Sequence, residues 1–401
     1  MFDFAYGVLT YLLPFLFVLG LVVTVHEYGH FIAARLCGVA IDRFSIGFGR
    51  ALFSWRDRHG VEWRVGWIPL GGYVKFSGDE NVASVPDEED LDAMRRRIQA
   101  REGPAGVSRY FHFKPLWQRA VITGAGPMAN FLLASVLFAF LLGIFGKPFA
   151  PPQVLEVVPG SAADKAGFMA GDMVRTVNGR RIADFTDLQQ IVMLSPAKPL
   201  RIELDRAGVA VSLTATPKLE ERTDSAAGHI KIGVLGLRGA ARSHVRYGPL
   251  QAIGGGVMET WRTLNSTIYF LGRMVTGHIS ATNISGVVGI AQASGSVAKA
   301  GAEGAPDAAS AVLGSFVALL SLAALMSVSI GFMNLLPVPV LDGGHLLFYA
   351  YEALARRPVG AKVQAAGYRV GLALLLSLMV FATWNDLQRL RVFQILGGLF
   401  S

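Results

Sequence analysis

Cysteine is nearly missing from this chain: Cys37 stands alone in 401 residues. An intramolecular disulfide and a cysteine-based zinc site are therefore both excluded. The neighbours of Cys37 are apolar, which marks it as packing and not as a reactive thiol. Charge is scarce too. Only 16% of residues are charged against 52% hydrophobic, and mean hydropathy is +0.43, a membrane composition. The net charge of +8 comes from dispersed basic residues with no basic fold motif, so a nucleic-acid partner is excluded and basic loops beside membrane spans are implied. From Phe4 to Val25 no residue carries a formal charge, a run long enough to cross a bilayer. Met1 to Tyr6 contains Asp3 but no Lys or Arg, which predicts a retained span and not a cleaved secretory signal. No internal repeat pairs the spans, which argues against a transporter.

What is present centres on His26-Glu27-Tyr28-Gly29-His30 at the end of that uncharged run. His26 and His30 sit at i and i+4, so a helix puts both imidazoles on one face, one turn apart. Two such nitrogens can share one Zn²⁺, and Glu27 beside them can take a proton from water activated there. Two unrelated polar residues on a helix would be the bland reading; ionisable groups at the end of a membrane span are costly and usually functional.

In chain order, span 1 covers about 5–37. Arg43, Arg50, Arg56, Arg58 and Arg64 follow it, which places its C-terminal end in the cytoplasm. Between Phe44 and Phe76, aromatic-rich alternation interrupted by Pro69-Leu70-Gly71-Gly72 predicts short β-hairpins. Such a sheet edge could take a peptide as an added strand or serve only as an interfacial anchor, and the pattern leaves both open. Residues 79–106 form a charged cytoplasmic loop with a short helix. Span 2, about 120–145, opens with the small residues Gly124-Ala125-Gly126-Pro127-Met128-Ala129 before Asn130, a composition that permits close helix packing. Asn130 needs a partner inside a span: a structural interhelical hydrogen bond is the simpler reading, a part in the site the other.

From Val154 to Pro217 the periodicity is that of a soluble α/β module, and Pro159-Gly160-Ser161-Ala162-Ala163 with Ala166–Asp172 resembles a bacterial PDZ domain. PDZ domains bind extended peptide ends by strand addition. Residues 219–248 read as polar and irregular. Leu250–Val275 reads as an amphipathic helix against the membrane surface. Span 3 is predicted over about 311–336 and span 4 over about 367–383, with Arg356, Arg357 and Lys362 marking the cytoplasmic loop between them. The chain thus divides into 1–37, 38–115, 116–147, 151–217, 218–310, 311–345, 346–366 and 367–401. The fold class is a polytopic α-helical membrane protein of about four transmembrane helices, with membrane-associated β-hairpins, one extracytoplasmic PDZ domain and both termini outside.

Span 3 ends in Asn334-Leu335-Leu336-Pro337-Val338-Pro339-Val340-Leu341-Asp342-Gly343-Gly344-His345. Two prolines one residue apart break the helix and free backbone carbonyls, which is tolerated at membrane depth only against protein or a cavity. Asp342 and His345, just past the break, are rival third zinc ligands. Carboxylate completes known two-His catalytic sites, which favours Asp342.

Taken together, these motifs resemble the bacterial site-2 protease family, intramembrane zinc metalloproteases of the regulator-of-sigma-E type. The resemblance rests on His26-Glu27-x-x-His30, Phe44–Gly49, Pro69–Lys75, Gly126-Pro127 with Asn130, the PDZ-like module and Asn334-x-x-Pro337-x-Pro339-x-Leu341-Asp342-Gly343. It implies one Zn²⁺ held by His26, His30 and Asp342, Glu27 as general base, and Asn334 holding unwound substrate. It also implies a membrane-associated hairpin pairing with substrate, through Gly66, Trp67, Pro69, Gly71, Gly72 and Tyr73. The implied partners are the bilayer, single-span membrane protein substrates, and peptide ends or outer domains met by the PDZ domain. Enterobacterial-type members carry tandem PDZ domains, and this chain shows one. A non-catalytic PDZ adaptor with a structural zinc site is the competing class; Glu27, a free carboxylate beside the ligands, argues against it.

Overall fold

The structure is a computed structural model, and it describes residues 2–78, 88–224, 228–239, 243–276 and 285–389. Helix α1 (Phe2–Leu36) leads into two long strands, β1 (Ile41–Arg56) and β2 (Glu62–Phe76), then α2 (Glu88–Glu102) and α3 (Leu116–Phe145). A β-rich stretch follows: β3 (Lys147–Phe149), β4 (Val154–Val157), α4 (Ala162–Lys165), β5 (Met173–Val177), β6 (Arg180–Arg181) and α5 (Phe185–Met193). It continues with β7 (Leu200–Arg206), β8 (Val209–Ala215), β9 (Lys218–Asp224), β10 (Gly228–Val234), β11 (Leu237–Gly239) and β12 (Ser243–Val245). The chain closes through α6 (Pro249–Val275), α7 (Val287–Ala302), α8 (Ala308–Asn334), α9 (Asp342–Ala355) and α10 (Ala361–Arg389). Two compact units result, one of residues 1–140, 253–272 and 284–388, the other of 141–252, 273–283 and 389–401.

Four helices of the described residues are long and apolar enough to cross a membrane: α1, α3, α8 and α10. Between 11% and 33% of each apolar window is buried within the protein, so most of these side chains face outward and need an apolar solvent. In the first unit α8 packs between α1 and α3. Val18 and Val22 meet Ala323, while Ala134 and Phe138 meet Ala324 and Val328. Small residues on α8 let the backbones approach, as membrane packing requires where no hydrophobic effect drives it. Helix α7 packs on both α1 and α8, with Gly301 against Gly314.

One long antiparallel pair replaces the short hairpins expected between Phe44 and Phe76. Each strand bends so that Arg43–Ile46 is flanked by Gly72–Lys75 on one side and Glu62–Val65 on the other, while Ala51–Arg56 pairs back onto Glu62–Gly66. Phe44 is fully buried with Phe31 of α1 and Val61, which roots the sheet on the end of the first span. Asp57 at the turn accepts from Trp63 Nε1 and pairs with Arg35 of α1, fixing the same junction.

The second unit corrects the domain boundaries. Strands β6-β5-β7-β8 form a four-stranded sheet, and α5 buries Phe185, Leu188, Ile191 and Val192 in its core. That core continues through Leu235 and Leu237, and β11 pairs with β4. The module therefore does not stop at Pro217, and 219–248 is not simply irregular. There β9 is highly charged, β11 and β12 are only three residues each, and Gly233, Gly236 and Gly239 punctuate the stretch, which gives it the composition of a loop. Asp172, fully buried, is held by Arg206 at 2.7 Å and by the Met169 N–H.

Helix α6 differs from the surface placement expected for it. Thr260 Oγ1 lies 3.0 Å from Ser135 Oγ, a Cβ on Gly256 would meet the Ser135 carbonyl and Ala139, and Leu264 packs by Phe131 and Ala134. Rising numbers on α6 thus meet falling numbers on α3, so in this stretch α6 runs antiparallel along a span. An amphipathic pattern says which face is covered and not what covers it. Residues 346–366 hold most of α9 where a loop was expected, and the tail beyond Arg389 lies outside the described residues.

Candidate metal centre

All the chemistry-bearing residues lie in the first unit. On α1, His26 is buried and His30 stands one turn beyond it, their Nε2 atoms 3.2 Å apart. Asp342, the first residue of α9, brings Oδ2 to 3.2 Å from His26 Nε2 and 3.4 Å from His30 Nε2. A tetrahedral zinc ion with bonds of 2.0–2.1 Å holds its ligand atoms about 3.3 Å apart. The triangle matches that edge and leaves the fourth corner open. Oδ2 of Asp342 is buried with no hydrogen-bond donor facing it, an orphaned acceptor of the kind a cation satisfies. The donor set, two imidazoles and a carboxylate, is that of a catalytic and not a structural zinc site.

The proline break delivers Asp342 to this point. Helix α8 stops at Asn334, the chain turns through Pro337 and Pro339, and α9 begins with its first turn folded back on the break. A Cβ on Gly343 would come within 2.3 Å of the Leu335 carbonyl oxygen, and one on Gly344 within 2.3 Å of the Val338 carbonyl oxygen. Only glycine allows the contact. His345 points elsewhere: its Nε2 is 2.7 Å from Tyr368 Oη on α10, so the rival ligand is a tether between α9 and α10.

Helix α3 supplies the layer behind the imidazoles. Gly29 lets α3 approach so closely that a Cβ there would lie 2.5 Å from the Ala125 carbonyl oxygen. At that separation His30 Nδ1 donates to the Ile122 carbonyl at 2.9 Å, which leaves the Nε2 lone pair pointing into the triangle. His26 Nδ1 meets the side-chain amide of Asn130 at 3.2 Å. Gly126 faces the rings themselves, since a Cβ on it would stand 2.3 Å from His30 Nε2. Sequence reasoning counted Gly126-Pro127 with Asn130 among the family motifs but gave Gly126 no role and left Asn130 between an interhelical hydrogen bond and a part in the site. The small-residue run before Asn130 was read as a packing device.

Glu27 lies on the neighbouring face. A Cβ on Gly72 would sit 3.0 Å from Glu27 Cγ, and the Val74 N–H of the same strand segment hydrogen-bonds to the Glu27 carboxylate. The structure thus brings Gly72 to Glu27. The other hairpin residues do different work. Gly66 allows the crossing of β1 and β2 near Phe48; Gly71, at φ 123°, makes the turn against the Phe48 ring; Tyr73 stacks on Phe48 and meets Arg43. Trp67 and Pro69 are exposed. Asn334 is the last residue of α8, half-buried, and its side chain makes no hydrogen bond among the described residues.

Comparison with known proteins adds an independent line. The model of peptidase family M50 matches residues 14–378, most of the chain. The chain belongs to peptidase family M50. Metalloprotease MmpA of Caulobacter vibrioides is 52% identical over 396 residues, covering 98% of this chain and all of that protein. R01501 of Rhizobium meliloti, which carries a zinc-metalloprotease name, is 43% identical over 384 residues, 94% of this chain and 97% of the relative. Regulator of sigma-E protease RseP of Salmonella typhimurium is 32% identical across an alignment of 480 positions that takes in 96% of this chain and all of that protein. That alignment is longer than this chain, so RseP carries segments that are missing here. This M50 chain is a zinc-dependent metalloendopeptidase of the site-2 protease family, built on apolar helices of membrane-spanning length.

Proposed function

We propose that this peptidase cuts peptide bonds inside the membrane, in transmembrane segments of single-span proteins, as a step of regulated intramembrane proteolysis. The observation that carries the reading is the position of the His26–His30–Asp342 triangle, with Glu27 beside it, at the end of a helix whose run from Phe4 to Val25 is uncharged and long enough to span a bilayer. His26, His30 and Asp342 hold the zinc ion. Zinc, when bound, supplies Lewis-acid polarisation of the scissile carbonyl and acidification of water. Glu27 accepts the proton and returns it to the leaving amine, and its contact with Gly72 and Val74 keeps the carboxylate turned to the site.

A substrate helix hides its carbonyls in internal hydrogen bonds and must unwind before it can react. The segment around Gly66, Trp67, Pro69, Gly71, Gly72 and Tyr73 offers replacement bonds by strand addition, with Gly72 the point nearest the base. Asn334, half-buried at the proline break, holds the unwound segment. Leu52, Phe53, Trp55 and Trp67 are exposed on the sheet, which suits immersion in the membrane. The site faces the cytoplasmic side of a bacterial inner membrane, because the arginines of β1 and β2 follow the ligand-bearing end of α1. Both termini are then outside. The α/β module, as a PDZ domain, meets peptide ends or outer domains and filters what approaches. Substrates of the fitting class are a membrane-bound regulator such as an anti-sigma factor, trimmed beforehand, or remnant signal peptides; one relative is named for such regulation.

The test is cleavage of a single-span substrate by purified enzyme in lipid. Wild type should cut within the span and stop when a chelator removes zinc, while Glu27→Gln should keep zinc and lose cleavage. Wild-type cleavage by Glu27→Gln would remove Glu27 from the mechanism, and cuts confined to the substrate's soluble part would refute the intramembrane reading.

A further inference from the structure

Asn130 is fully buried beside the metal centre, at 0% exposure within an apolar span. A side-chain amide there is costly unless it is used. Its surroundings hold it still. Ser327 Oγ donates to the Asn130 backbone carbonyl at 2.8 Å, and Gly331 of α8 lies so close that a Cβ on it would be 3.2 Å from Asn130 Cβ. The amide can therefore neither swing away toward α8 nor reach solvent. It faces His26 Nδ1 at 3.2 Å, and its Oδ1 is buried with no partner.

The chemistry of the triangle dictates what that amide must do. His26 offers Nε2 to the triangle, so the ring proton of the neutral imidazole resides on Nδ1 and needs an acceptor. His30 meets the same requirement through the Ile122 carbonyl, a little over two turns earlier on α3. For His26 no backbone carbonyl among the described residues does this; the group within reach is the Asn130 amide. A half-turn of that amide puts the idle Oδ1 on Nδ1–H at the distance now held by Nδ2. Donation from Nδ1–H fixes the ring's orientation and tautomer and makes Nε2 a stronger ligand.

We infer that Asn130 is a positioning residue of the metal centre: its amide oxygen accepts from His26 Nδ1–H and holds Nε2 in the ligand geometry. Helix α3 thus sets both imidazoles, one through a backbone carbonyl and one through a side chain. The inference rests on the reading of His26 as a zinc ligand.

The measurement is zinc affinity of the full-length, detergent-solubilised protein by competition with a chromophoric chelator, with the visible spectrum of the cobalt-substituted protein as second readout. Asn130→Leu, close in size but without an acceptor, should bind zinc 10- to 100-fold more weakly and shift the cobalt spectrum. Asn130→Ser, which fits the helix contact but cannot reach the ring, should do the same and serves if the leucine variant misfolds. Asn130→Asp restores an acceptor and should stay within about 10-fold of wild type. Wild-type affinity in folded Asn130→Leu or Asn130→Ser would reduce Asn130 to an interhelical tie. A loss in Asn130→Asp as deep as in Asn130→Leu would overturn the inference equally. His26→Ala in parallel separates the two levels: zinc retained there sinks the ligand assignment itself, whereas zinc lost there but kept by both Asn130→Leu and Asn130→Ser sinks only the present inference.

Discussion

Gly126→Ala adds one methyl group and should empty the metal centre. A Cβ at this position would lie 2.3 Å from His30 Nε2, 2.6 Å from His30 Cε1 and 2.9 Å from His26 Cε1. Comfortable contact for such atoms begins near 3.5 Å, so the overlap with the ligand nitrogen is about 1 Å. Neither partner can absorb it cheaply. His30 is pinned through Nδ1 to the Ile122 carbonyl, and α3 cannot retreat without breaking the contact of Gly29 with Ala125. Ligand distances in a working site hold to within about 0.2 Å, so a displacement several times larger removes His30 from the coordination sphere. The expected loss of zinc affinity is at least about 100-fold, the scale on which much gentler changes behind a ligand already register, and cleavage should go with it.

The control stands two residues away on the same helix. A Cβ on Gly124 would meet nothing within 4 Å, so Gly124→Ala should bind zinc like wild type. Alanine in place of a helix-interior glycine should even raise stability slightly, by up to about 1 kcal/mol. Chelator competition on both purified variants, with thermal unfolding of the metal-free forms to exclude global collapse, makes the comparison. Stoichiometric zinc of wild-type affinity in Gly126→Ala would refute the packing argument and with it the placement of α3 against the imidazoles.

Asp342→Asn should lose zinc and activity, whereas His345→Ala, which loses its contacts with Tyr368 and Tyr349, should keep both; metal content per chain decides, and the opposite result would reverse the ligand assignment. In the α/β module burial pushes the Asp172 carboxyl up, but Arg206 and the Met169 N–H outweigh it and hold it below the usual carboxylate range. A depressed native value means stability present above the ordinary carboxylate value near 3.9 and lost as pH falls through the native one. Wild type should therefore resist proteolysis within residues 150–239 better than Asp172→Asn at neutral pH. The advantage should vanish as pH falls through the depressed native value; a difference that grows with acid would contradict the sign.

How far these features could be read without coordinates depends on the range of the contacts that make them. His26, Glu27 and His30 were legible because i and i+4 spacing needs nothing but a helix. The four apolar helices were legible because length and composition suffice. Asp342 against His345 was not decided by residue chemistry alone, since both follow the break within one turn. Which one meets α1 depends on the path through Pro337 and Pro339, and that path is set by the packing of Gly343 and Gly344. Strand β9 was hidden by its charges, β11 and β12 by their brevity, and α6 by an amphipathic face whose partner the pattern cannot name.

The part played by α3 was least legible, and the reason is general to sites built between membrane helices. A ligand motif on one helix advertises itself by period, but the groups that orient the ligands come from another helix and obey no period with respect to them. What they need is proximity, and proximity at the level of backbone carbonyls is written as missing side chains: Gly29 against Ala125, Gly126 against both rings, Gly72 against Glu27. Each approach would place a Cβ 3.0 Å or less from its neighbour. In a membrane span, where small residues serve helix packing anyway, such a glycine reads as packing and its chemical purpose is masked. A small-residue run that ends in a buried amide, facing a helix that carries ligands, is therefore evidence for the metal centre's supporting layer and not only for close packing.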